Sequence, residues 1–192
     1  AGPGRRDWIR NGRTDLTRDV ILEAADTSLA RLQIECIDLF QIHWPQRNVP
    51  MFGNLYHEPK NDRPVTPIDE QLRGLQRLVQ AGKVRHVGVS NETPWGVAEF
   101  VRQAEAAGLP RIVSVQNGYS LLNRSVDNGL DETMHRMQVS LLAYSPLAFG
   151  LLTGKYDELG FEDPQNRGRM AIFQRMKEQR WGRPESLAAA RR

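Results

Sequence analysis

Three observations predict a parallel α/β fold. Four short apolar segments rich in Val, Ile and Leu alternate with stretches of helical periodicity. The alternation is strictly strand-helix-strand-helix, which requires parallel strands joined by helical crossovers. The inward strand faces carry polar side chains only at their C-terminal ends: Gln41 and His43, Ser90, Gln116 and Tyr144. Polar groups gathered at one rim are what the functional face of a (β/α)8 TIM barrel requires. The competing architecture, a doubly wound open sheet, usually announces itself by G-x-G-x-x-G after the first strand, and that motif is absent. The barrel is therefore predicted. The chain carries about four central βα units of it, in a single partial domain over residues 1–192.

The elements follow in order. After a polar, Gly/Arg-rich start, Thr17 to Leu32 reads as a helix with Thr17 as N-cap. Its stripe is Val20, Ile21, Ala24, Ala25, Leu29 and Leu32. The first strand, Ile37 to His43, alternates Ile37, Leu39, Gln41 and His43 on one face with Cys36, Asp38, Phe40 and Ile42 on the other. Pro45 stops it. Pro45, Pro50, Gly53, Pro59 and Pro64 then make residues 44–65 a long substrate-side loop. A second helix spans Pro67 to Ala81, with Ile68, Leu72, Leu75, Leu78 and Val79 inward and Gly82 past its end. Lys83 to Asn91 is a strand, Pro94 to Ala107 a helix stopped by Gly108, and Arg111 to Gln116 a strand. Gly129 to Met137 is a short helix and Ser140 to Tyr144 the fourth strand. Residues 157–192 read as a basic loop and helical tail, helical from about Met170.

Composition excludes several classes. At 40% hydrophobic and 26% charged the chain is of ordinary globular character. No apolar run approaches the roughly 18 residues of a membrane span, and no signal-peptide pattern opens the chain. A soluble, cytoplasmic protein is expected. The single Cys36 rules out an internal disulfide and reads as a small buried hydrophobe. The net charge of +3 resides in the tail: residues 167–192 hold eight Lys/Arg and two Asp/Glu. A basic tail can attract nucleic acid, but neither zinc-finger spacing nor an RNA-recognition signature accompanies it, so no nucleic-acid partner is expected. His43, His57, His86 and His135 are scattered without H-E-x-x-H or paired cysteines, which argues against a metal site. Gly88-Val89-Ser90-Asn91-Glu92 fails as a nucleophile elbow because Glu92 replaces the second glycine. Gly150 to Tyr156 fails as a P-loop: it is one residue short and has Tyr for Ser/Thr. His86 reads as structural, His57 as a solvated loop histidine, and Tyr119 as a packing residue.

Four segments in order resemble the aldo-keto reductase superfamily, in its Tas-like branch. They are Asp38-Leu39-Phe40-Gln41-Ile42-His43-Trp44-Pro45, then Gly82 to Asn91, then Gln116-Asn117-Gly118-Tyr119-Ser120-Leu121-Leu122-Asn123-Arg124, then Ala143 to Tyr156. The resemblance implies NADPH-dependent reduction of an aldehyde or ketone to an alcohol. It makes His43 the catalytic histidine that orients the carbonyl and hydrogen-bonds the developing alkoxide, with Trp44 lining the substrate pocket. Ser90, Asn91 and Gln116 match the groups that hold the nicotinamide carboxamide, a ligand offering one acceptor and two donors. Tyr144 matches the residue on which the nicotinamide stacks. Ser145, Pro146, Leu147 and Ala148 would follow the pyrophosphate, and Lys155 and Arg169 would supply cationic cofactor contacts.

The family tetrad also contains an Asp, a Tyr and a Lys, and no segment of this chain matches the motifs that carry them. The expectation is the middle of a reductase, family strands four to seven, inactive as a separate fragment. The alternative function is a non-catalytic NADP(H)-binding regulatory or redox-sensing subunit. The expected partner is a small-molecule carbonyl compound; substrate identity and oligomeric state are not specified by the sequence.

Overall fold

The computed structural model describes residues 12–50, 56–157, 168–173 and 182–191. Four strands, β1 (Ile37–Ile42), β2 (Val84–Ser90), β3 (Ile112–Gly118) and β4 (Ser140–Tyr144), form one sheet in the order β1-β2-β3-β4. β1 pairs parallel with β2, and β2 parallel with β3. Each strand neighbours its sequence successor, and the order never reverses as it must in a doubly wound sheet. Single-direction winding with a helix between strands is the barrel pattern.

Register aligns Gln41 with Gly88 and Gly88 with Ser114, and places Ile42, Val89 and Val115 in the next row. Since adjacent residues point to opposite faces, one face carries Gln41, Gly88 and Ser114 while the other carries Ile42, Val89 and Val115, all buried. Gly88 is required by close approach. A Cβ there would sit 2.5 Å from Ser114 Oγ, 3.0 Å from Ser114 O and 3.3 Å from Gln41 Cγ.

The helices are α1 (Arg18–Leu32), α2 (Ile68–Gln80), α3 (Pro94–Ala107) and α4 (Leu130–Met137). α2 is the clearest amphipath, burying Ile68, Leu72, Leu75 and Leu78 with Asp69 and Glu70 in its positive first turn. α1 approaches α2 at Gly74, where a Cβ would lie 3.2 Å from Arg18 Cα and 3.3 Å from Ile21 Cδ1. α3 starts at Pro94, a good first-turn residue, and Thr93 caps it by accepting from the Gly96 amide at 3.2 Å. It ends on Gly108 at φ +60.

The chain divides into two compact units. The first holds residues 12–49, 57–117 and 129–142 of the described chain and contains β1, β2, β3 as far as Asn117, α1 to α4 and the start of β4. The second holds residues 118–128 and the described residues from 143 onward, with 50 and 56. Its core is Ala148, Phe149, Leu151, Tyr156 and Met170. It includes a 3-10 segment (Ala148–Thr153) and two short helices, α5 (Arg169–Ile172) and α6 (Pro184–Ala190).

Several expectations need correction. His43 lies one residue beyond β1 instead of inside it, because the pairing of β1 with β2 ends at Ile42 and Val89. Cys36 precedes β1 and is only half-buried. Leu32 is 61% exposed and Ala24 half-buried, so the buried stripe of this helix is Val20, Ile21, Ala25 and Leu29, and its C-terminal end is left uncovered. Thr17 occupies the N-cap but its side chain accepts no capping bond; its hydroxyl donates to Asp15. The tail is not one helix from Met170: Phe173 leaves helical geometry, and residues 174–181 lie outside the described residues. Residues 51–55 of the long loop and 158–167 of the tail also lie outside them. No helix of the described residues is long and apolar enough to cross a membrane.

Candidate functional site

In the first unit, parallel strands bring the ends of β1, β2 and β3 to one edge. His43 follows β1 there, its side chain exposed and its imidazole stacked on Trp44 with ring centroids 5.1 Å apart. Asn91 follows β2 and turns into the left-handed region at φ +57, a conformation that Asn tolerates better than most residues. That turn lets Asn91 Nδ2 donate to the His43 carbonyl at 2.9 Å and to Ser90 Oγ at 3.1 Å. Ser90 Oγ donates to the Gln116 carbonyl at 2.7 Å, and the Asn91 amide donates to the same oxygen at 3.0 Å. His43, Ser90, Asn91 and Gln116 are thus tied across three strand ends through main-chain acceptors. The Gln116 side chain is half-buried.

Beside this chain of bonds lies an ion pair that the sequence reading did not find. Arg47 reaches Glu92 with both guanidinium nitrogens: Nη1 donates to Oε1 at 2.9 Å and Nη2 to Oε2. The Glu92 side chain is 2% exposed and that of Arg47 20%. The Thr93 amide donates to Glu92 Oε2 at 3.1 Å, Arg47 Nη2 donates to Thr93 Oγ1 at 3.3 Å, and the Arg47 guanidinium lies 5.0 Å over the Trp95 ring. Asn117, next to Gln116, accepts from the Glu92 amide at 3.1 Å and donates to its carbonyl at 2.8 Å. Burial pushes the Glu92 carboxyl above its ordinary range, and Arg47 offsets this only in part. The one signal in the sequence was the position of Glu92 just past an apolar strand, which does not point to Arg47 as its partner.

Gln46 anchors the same loop. Its Oε1 accepts from the Leu16 and Thr66 amides at 3.2 and 3.0 Å, tying the approaches to α1 and α2. The start of the 44–65 loop is therefore pinned, whereas His57 and Tyr56 are exposed, with His57 3.5 Å from Asp62.

In the second unit, Tyr144 ends β4 half-buried, its ring against Gly118, where a Cβ would lie 3.2 Å from Tyr144 Cε2 and Cζ. The chain then turns sharply: Ser145 (φ +55), Ala148 (+46), Phe149 (+59) and Gly150 (+98) are left-handed. The Ala148 amide donates to Ser145 O at 2.9 Å, while Pro146 and Leu147 are exposed and Ala148 buried. Such consecutive turns carry main-chain amides of the kind that bind anions. Lys155 lies over the Tyr156 ring at 5.3 Å and against Gly150, which a Cβ would push into its side chain. Arg169 lies 5.0 Å over Phe149 and 5.9 Å over Phe173. Tyr156 Oη accepts from the Met170 amide at 2.9 Å, holding α5 to this turn. Tyr119, expected to pack, is half-buried; its hydroxyl donates to Asp127 at 2.9 Å and its ring carries Arg124 at 5.1 Å. Among the described residues no group of three His, Cys, Asp or Glu could hold a metal.

Comparison with known proteins places the chain among its relatives. The profile of the Aldo/keto reductase family matches residues 6–184. An "Aldo-keto reductase" of Babesia bovis is 44% identical over 176 residues, which are 86% of this chain and 61% of that protein. "Protein tas" of Escherichia coli is 48% identical over 158 residues, 81% of this chain and 45% of that protein. The chain therefore spans about half the length of these curated relatives. An aldo-keto reductase from Bacillus halodurans, solved in its holo form, superposes with a TM-score of 0.55 at 30% identity, covering 72% of this chain and 40% of that structure.

Proposed function

Because the chain belongs to the aldo/keto reductase family, matched over residues 6–184, we propose that it forms the nicotinamide-binding and carbonyl-orienting part of an NADPH-dependent aldehyde or ketone reductase. The observation that carries this reading is the linkage of His43, Ser90, Asn91 and Gln116 at the ends of three parallel strands. A carboxamide presents one acceptor and two donors, and Ser, Asn and Gln offer the matching set. The residues present fit that group.

When bound, NADPH supplies the hydride that reduces the carbonyl carbon. Ser90, Asn91 and Gln116 hold its carboxamide. By resemblance to the family, Tyr144 would offer a flat aromatic surface to the ring. Ser145, Pro146, Leu147 and Ala148 line the pyrophosphate through their turned main chain, and Lys155 and Arg169 add positive charge. His43 donates a hydrogen bond to the substrate oxygen as negative charge develops there, and Trp44 packs beside the carbonyl compound. The tetrad Asp, Tyr and Lys have no matched position among these residues. The 192-residue polypeptide alone should therefore bind NADPH without turning over.

Nicotinamide fluorescence titrated with the protein tests the reading. Saturable NADPH binding is expected, weakened about tenfold by Gln116→Leu, the loss of roughly one hydrogen bond. Absence of saturable binding would refute the cofactor assignment. Steady NADPH oxidation with a reactive aldehyde by the 192-residue chain would refute the division of labour.

A further inference from the structure

The Arg47–Glu92 pair is an expensive way to join a loop to a helix start. Two charges removed from water are repaid only by good geometry and satisfied hydrogen bonds, and a hydrophobic pair of similar size is commonly as stable. Here the geometry is complete. Glu92 receives both guanidinium nitrogens and the Thr93 amide. Arg47 is further held by Thr93 Oγ1 and covered by Trp95. Asn117 clamps the Glu92 main chain from both its amide and its carbonyl. The first turn of α3 makes room: at Gly96 a Cβ would run into both Glu92 and Arg47.

The location matters more than the strength. Glu92 directly follows Asn91, whose left-handed backbone sets the direction of its side chain. Arg47 lies four residues after His43 on the loop leaving β1. At the rim Asn91 Nδ2 donates to His43 O across these two segments, and the ion pair spans the same two segments one step away. We infer that Glu92 and Arg47 are positioning residues, whose pairing fixes the Asn91 amide against the His43 main chain and so sets the carboxamide-holding group in register with the carbonyl-orienting imidazole. The inference rests on the functional reading above and deepens it: the pair touches neither cofactor nor substrate and acts through Asn91 and His43.

The experiment compares two cofactor forms in equilibrium binding: NADPH and the reduced acetylpyridine analogue, whose acetyl group lacks the carboxamide nitrogen. The unmodified protein, Glu92→Gln and Arg47→Lys are each titrated. If Asn91 is held by the pair, the unmodified protein prefers the carboxamide by about tenfold, the worth of one well-placed hydrogen bond. Glu92→Gln then reduces that preference to about twofold or less. Arg47→Lys, which keeps the charge but loses the two-pronged contact, falls between them. A packing role alone would weaken both cofactor forms together and leave the ratio intact, and that result overturns the inference. A second readout needs no cofactor: the NMR signal and hydrogen exchange of the Asn91 side-chain amide. Faster exchange in folded Glu92→Gln supports the inference, and unchanged exchange overturns it. Should Glu92→Gln not fold, Arg47→Lys carries both readouts. If the unmodified protein binds neither cofactor form, the functional reading falls, and amide exchange alone decides whether the pair positions Asn91.

Discussion

Removing Arg47 should leave a carboxylate stranded in the protein. Arg47→Met keeps the length and apolar stem of the side chain while deleting the guanidinium. Glu92, with a side chain 2% exposed, would then keep, among the described residues, the Thr93 amide as the donor to its carboxylate. Breaking a buried pair from one side costs roughly 3–5 kcal/mol, and loss of the Trp95 contact adds about 0.5–1 kcal/mol. With a urea dependence of ~2–3 kcal/mol per molar, the unfolding midpoint at neutral pH should fall by about 2 M. The four tryptophans, among them Trp95 at the site, report unfolding by fluorescence. Burial already raises the Glu92 carboxyl above its ordinary 4.5, and losing Arg47 removes the group that opposed this. A raised carboxyl takes up its proton in the folded state before it does so in the unfolded chain, so acidification favours folding. The variant's deficit should therefore shrink as pH falls from the raised native value toward 4.5. It should be largest at neutral pH. The double variant Arg47→Met with Glu92→Gln should recover most of the loss, because no buried charge remains. A deficit under about 1 kcal/mol, or one that grows on acidification, would refute the reasoning.

Other outcomes follow from the same geometry. Gly88→Val should destabilise the sheet by about 1–3 kcal/mol, because its Cβ would meet Ser114 main chain as well as side chain; Gly88→Ala should cost less, and equal melting temperatures for all three proteins would count against the register. The Glu99 carboxyl is pulled down to about 2 by bonds from Arg102 and then Gln103. A depressed carboxyl stabilises above its unfolded pKa and loses that contribution as pH falls through the folded value. Since the Arg102 end of this pair is solvent-exposed, Glu99→Gln should cost under about 1 kcal/mol at neutral pH by urea unfolding. In a polypeptide that reduces carbonyl compounds, His43→Ala should lower kcat by about a hundredfold or more while cofactor affinity changes less than about threefold; a loss confined to cofactor binding would move His43 out of the carbonyl site.

Much of the fold was legible because it depends on local and periodic features. Apolar residues at helical spacing mark α2, and Pro94 and Gly108 bracket α3 by stereochemical rules that need no tertiary knowledge. The alternation of strands and helices forces parallel pairing, and with it the gathering of His43, Ser90 and Gln116 at one edge. These residues could be nominated from sequence because parallel strands all end on the same side. Leu32 shows the limit: it lies on the α1 stripe, yet whether a stripe residue is covered depends on what stands opposite the helix end, and it is 61% exposed.

Neither periodicity nor spacing could reveal what the side chains do to one another at that edge. Arg47 lies in a proline-rich loop and Glu92 at a strand end, 45 positions away. Each looks like an ordinary solvated charge. They meet because β1 and β2 are adjacent and in register, and they are held together in a buried place because Thr93, Trp95 and the cut-back first turn of α3 complete the enclosure. The strand order, the polar rim and the residue types at the rim were written in the sequence, since they follow from backbone geometry and the alternation of apolar side chains. Which polar groups hold which was decided by the tertiary structure alone, because the energy of a charge depends on how much water its neighbours remove and how many hydrogen bonds they return.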